Sequence, residues 1–157
     1  MTVIAELHEV HLLELPVGLY ASTQEHSEAL RRELSLIAEQ LRQRSETALP
    51  LRLIDLIGEL NASYGGLAAE QEERLADAVA DGETTIPDLT YHVPAEVGPA
   101  VMHLAEILDE ADEYCRAGRH LLTLATAPDQ VRFRRWFLGE FSRQLAGAAP
   151  TPWPEYR

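Results

Sequence analysis

A chain of 157 residues is long enough to bury a core of its own and fits one domain. Its 26 acids against 13 basic residues leave a net charge of −13, which excludes the basic face needed to bind nucleic acid or an anionic membrane. All the basic residues are arginine, so lysine Schiff-base chemistry is closed to it, and the single cysteine, Cys115, allows no intrachain disulfide.

The lone cysteine fits a reducing cytoplasm. Residues 1–17 (MTVIAELHEVHLLELPV) carry acids and histidines rather than a basic stretch followed by a long apolar run, which argues against a secretory signal. No stretch is apolar enough to span a bilayer. Residues 1–20 have poor helical periodicity, and Pro16 and Gly18 interrupt them. They read as an extended segment or single strand whose partner could be a second copy of the chain.

Ser22 to Glu25 have the form of a capping box, and Leu30, Leu34, Ile37 and Leu41 continue as one apolar stripe. A helix is expected from there to about Ser45. Pro50 suits the start of a second helix, with Leu53, Leu56, Ile57 and Leu60 facing inward. A turn is expected at 61–66 and a third helix at about 68–80, ended by Gly82. Residues 83–94, punctuated by Pro87 and Pro94, read as an irregular connector.

Val97, Val101, Leu104, Leu108, Ala111 and Cys115 give the clearest helix, started by Gly98 and Pro99 or from Pro94, and ended by Gly118. The last helix is expected to follow a Thr126 cap and reach about Ala146. The sum is an all-α protein, an antiparallel bundle of about five helices with a short extended N-terminal segment. Its parts are that segment at 1–20, the bundle at 21–147 and a Pro/Trp tail at 148–157. The helices 22–45 and 97–117, with the longest stripes, form the expected central pair.

No Gly-rich phosphate loop, serine elbow or zinc pattern is present, so neither a reaction nor a cofactor is implied. His8 and His11 share a face only on a helix turn, not on an extended segment. His103, Glu106 and Glu110 lie on one helix face and form the candidate metal set, although the di-iron pattern would need a second copy on another helix. His26 could present an imidazole for phosphotransfer, but the bland reading is a solvent residue of the first turn. Cys115 reads as a small buried hydrophobe.

Residues 127–157 stand apart, with five arginines against three acids and all the Trp and Phe of the chain. Phe133, Phe137, Phe141 and Leu145 form a ridge expected in the core, with Trp136 on its flank. Arg132, Arg135, Trp136, Arg143 and Trp153 are the candidate partner-binding residues, because Trp and Arg dominate interface hot spots. The competing reading is that these arginines neutralise the chain's own acidic helices.

Residues 15–37, 108–128 and 133–154, about 40% of the chain, resemble small actinobacterial proteins found near sigma-factor partner-switching components. Those components are ATP-binding anti-sigma kinases, STAS-type antagonists and PP2C-type phosphatases, whose own nucleotide and metal motifs are missing here. The resemblance implies a cytoplasmic signalling accessory. The expectation is a non-enzymatic interaction protein whose partner is a protein such as an ATP-binding anti-sigma regulator. A bundle that binds a metal or small ligand, as sensor or enzyme, is the alternative. A homodimer exchanging its N-terminal segment or tail is the third reading.

Overall fold

The computed structural model describes residues 6–42, 49–116 and 127–155. In chain order come strand β1 (Leu7–Pro16), helices α1 (Val17–Arg42) and α2 (Leu49–Tyr64), a 3-10 turn at Gly65–Ala68, and helix α3 (Ala69–Ala80). Strand β2 (Thr85–Pro94), helices α4 (Val97–Arg116) and α5 (Pro128–Leu145), and a 3-10 turn at Trp153–Glu155 complete the fold. Ser45, Gly118 and Thr126 lie outside the described residues. So do the side chains of Leu34, Ile37, Leu41, Leu53, Ala111 and Cys115.

The expected all-α bundle is overturned. β1 and β2 pair antiparallel in a two-stranded sheet, with Val10 opposite Tyr91 and Leu12 opposite Leu89. The extended N-terminal segment therefore finds its partner within the chain, and the expected connector at 83–94 holds a strand. Pro87 and Pro94 had argued against one. Proline is tolerated on edge strands, however, and in a two-stranded sheet both strands are edges. Between the prolines, Leu89, Tyr91 and Val93 alternate inward with Thr90 and His92 outward.

One kink shapes the sheet. The register leaves Glu14 opposite Pro87, between the pairs Leu13–Asp88 and Leu15–Ile86. Pro87 has no N–H to contribute there. Glu14 takes a left-handed backbone, with φ 55°, and both strands reverse the face they turn inward. Val10 and Leu12 are buried before the kink, Leu15 and Val17 after it; on β2, Ile86 lies on one side and Leu89, Tyr91 and Val93 on the other. Val17 N–H then donates to Thr84 O at 3.0 Å, and α1 starts without a loop. The expected capping box is not used. Ser22 and Thr23 lie inside α1, their hydroxyls donating back to Leu19 O at 3.1 and 2.7 Å.

The core lies between the sheet and α5. Val10, Leu12, Leu15, Leu75, Ile86 and Leu89 pack in one body with Phe133, Trp136 and Phe141. The expected central helix pair is replaced: α4 packs on α5 and α2, and α1 on α2 and α5. Gly82 and Gly147, which follow α3 and α5, have φ of +70° and +103°, as expected of residues that end helices.

Both open edges of the sheet are plugged by glutamine. Gln144 of α5 accepts from His11 N–H and donates to His11 O, each at 2.8 Å, imitating a neighbouring strand. Gln71 of α3 donates to Thr90 O at 2.7 Å on the other edge. His11 and Thr90 face each other across the sheet, so the two plugs act on one residue pair. The amide of Gln144 also donates to Glu140 Oε2 at 2.7 Å. Replacing Gln144 by Ala should therefore lower stability by about 2–3 kcal/mol, since it strips partners from buried backbone and a buried carboxylate. Urea unfolding should give a lower midpoint at unchanged m-value.

Candidate functional site

The same α5 ridge that closes the core also forms the wall of a chamber of about 630 Å³. Phe133, Phe137 and Phe141 fall four apart on one helical face. Tyr91 and Val93 reach the chamber from β2, two apart on the inward face of the strand, and Tyr20 comes from the first turn of α1. Val101, Leu104 and Leu108 of α4 and Ile57 and Tyr64 of α2 complete the apolar lining.

The two tyrosines meet the phenylalanines edge to face, and the phenylalanines meet one another at a tilt. Tyr91 lies 5.1 Å from Phe141 and 6.2 Å from Phe137, Tyr20 lies 6.5 Å from Phe133, and Phe133, Phe137 and Phe141 follow one another at 5.8 and 5.7 Å. Such offset contacts hold a wall of rings in fixed orientation.

Charge enters from two sides. Gln24, Glu28, Arg31 and Glu72 line the chamber while exposed to solvent, and so mark its mouth. Arg134, 9% exposed, lines it from α5 and is pinned by Asp109 at 2.7 Å and Asp112 at 2.8 Å on α4. Its Nε finds no acceptor among the described residues. Burial pushes the Tyr91 phenol well above its ordinary value, and the neighbouring Tyr20 and Glu72 add to the shift. Tyr20 is raised by burial, then by Glu72 and Glu28. Both phenols are therefore neutral donors, unsuited to act as bases near neutral pH.

The candidate metal set does not converge. His103, Glu106 and Glu110 are all exposed on α4. No group of three or more His, Cys, Asp or Glu among the described residues is placed to hold an ion. His8 is exposed, whereas His11 sits on the outer sheet face between Asp88 (3.1 Å) and Glu9 (3.2 Å). Burial opposes protonation of His11, but the Asp88 and Glu9 carboxylates together outweigh it and raise its pKa above 6.5. His26 is instead lowered, by burial first and then by Arg134, with Asp112 opposing.

The arginine and tryptophan residues of the C-terminal stretch fall into two groups. Trp136, placed on the flank by its spacing, is wholly buried, and its Nε1 donates to Thr151 O at 2.8 Å. Trp153 folds back onto Phe133 (5.8 Å) and Trp136 (5.5 Å), and Arg132 stacks over it at 4.9 Å. Arg143 reaches Glu140, which is 0% exposed, at 2.8 Å. Arg132, Arg135 and Arg143 are all exposed, Arg135 at 57% with Asp109 at 3.5 Å. The tail is thus docked on its own body. Spacing along the sequence missed Arg134, Glu140 and Gln144, because a polar residue on an apolar helix reads as solvent-facing until its partner is known. Tyr91 was missed because it lay in the supposed connector.

Compared with known protein families, curated proteins and solved structures, the chain matches none of them.

Two outcomes follow from this geometry. Trp153→Ala should cost about 2 kcal/mol, since it removes two ring contacts and the Arg132 stack, and should shift Trp136 emission to the red as the tail lifts. A histidine raised in the folded state gives stability that is complete below the unfolded pKa and fades as pH rises through the folded one. His11 should therefore titrate above 6.5 in an NMR pH series. Asp88→Asn should bring that midpoint down and shrink the stability difference between about pH 5.5 and pH 8.

Proposed function

We propose that this protein binds a small, largely apolar molecule in the chamber and acts as a non-enzymatic sensor in bacterial cytoplasmic signalling. The observation that carries this reading is the chamber itself. Its volume of about 630 Å³ falls in the range of small-molecule sites, and its lining joins a fixed aromatic wall to a few polar groups.

A sensor needs an output, and Phe133 supplies a route. Its ring lines the chamber and also touches Trp153, on which Arg132 stacks. Arg132, Arg135, Arg143 and the open part of Trp153 are the proposed contact residues for a protein partner. The resemblance of residues 15–37, 108–128 and 133–154 to proteins near partner-switching components favours a regulator, such as an ATP-binding anti-sigma protein, as that partner.

The test uses a neutral apolar fluorophore, N-phenyl-1-naphthylamine. Wild-type protein is expected to bind it saturably with increased emission. Val101→Trp should fill the chamber and weaken binding by at least about tenfold, with the helical circular dichroism unchanged. No saturable binding by the wild type, or equal binding by Val101→Trp, would sink the reading.

A further inference from the structure

We infer that the chamber selects a lipophilic cation, an aromatic or branched alkyl molecule carrying a quaternary or protonated nitrogen, with its charge among the rings and opposite Glu28 and Glu72. The inference rests on the chamber being a ligand site and adds the charge of the ligand.

Three observations point the same way. The first is the lining. Three tyrosines and three phenylalanines surround the space, and aromatic faces attract a cation through the negative charge above the ring. An apolar chamber offering only aliphatic side chains would carry no such preference.

The second is how the charged groups are committed. Glu28 and Glu72 stand at the mouth with no ion pair among the described residues. The buried cation, Arg134, is already held between two aspartates, so it has no net positive charge to offer an incoming anion. Arg31 is exposed on α1 at the same mouth and offsets one of the two carboxylates, while Glu72 and Glu28 both lie close enough to act on the Tyr20 phenol. Two carboxylates against one arginine leave the mouth net negative. An anionic amphiphile such as a fatty acid would bring its carboxylate to a mouth where two carboxylates outnumber one arginine.

The third is long-range. A chain of net charge −13 attracts cations and repels anions before contact. That attraction falls off with salt, whereas a cation seated in the chamber is screened less.

A matched pair of ions gives the test. Tetraphenylphosphonium and tetraphenylborate have nearly the same size and shape and opposite charge. Titration calorimetry at physiological salt is expected to give tetraphenylphosphonium at least about tenfold tighter binding than tetraphenylborate. The double change Glu28→Gln and Glu72→Gln, at two exposed positions, should remove most of that ratio and weaken tetraphenylphosphonium binding far more than that of neutral N-phenyl-1-naphthylamine. Tetraphenylborate binding as tightly as the cation, or a ratio unaffected by the double change, overturns the inference while the neutral probe still upholds the chamber. Cation binding that persists in full in Val101→Trp is surface attraction and overturns it as well. Failure of all three probes to bind removes both the inference and the sensor reading.

Discussion

A sheet of two strands leaves every outward backbone group of both edges in need of a partner, and this fold depends on how that need is met. At the pair His11–Thr90 the solution is a side-chain amide on each edge, Gln144 from α5 and Gln71 from α3. Burying an unpaired peptide group costs several kcal/mol, so these amides fix where the two helices can stand. Gln144 is itself fixed by Glu140, which is buried without any exposure and is shared with Arg143 and the backbone of Thr151. One chain of hydrogen bonds thus links strand, helix and tail.

Helix α5 serves three structures at once because its neighbours approach from three sides. Trp136, Glu140 and Gln144, four apart, face the sheet edge and the returning tail. Phe133, Phe137 and Phe141 face the chamber, and Arg134 crosses to α4. On a helix this fully engaged, Arg134 is drawn inward while Arg132, Arg135 and Arg143 stay exposed. The charge contrast seen along the sequence is largely used inside the molecule: Arg134 and Arg143 meet the chain's own acids, and Arg132 its own Trp153.

The chamber arises from the same arrangement. Residues of the sheet and the α5 ridge form an aromatic wall, and α1, α2 and α4 stand around it without filling the space. Rings held against one another in edge and tilted contacts resist collapse into the space. Glu28 and Glu72 against Arg31 give the mouth a net negative charge, on which the proposed preference for a cation rests.

Amphipathic periodicity along the chain already disclosed most of the helices. The ridge at 133–145, the stripe from Val97 and the glycine at 82 were all legible, because a helix announces itself through contacts only a few residues apart. The Phe ridge was correctly placed in the core on that basis. What the sequence could not disclose is anything decided by residues far apart in the chain. β2 was hidden by its prolines, which are harmless only because both strands are edges. Trp136 looked like a flank residue until the tail and the sheet closed over it. Arg134, Glu140 and Gln144 looked like ordinary polar positions, and Tyr91 like part of a loop. Each acquired its role from a partner on another element, and only tertiary packing brings those partners within hydrogen-bond or ring-contact distance.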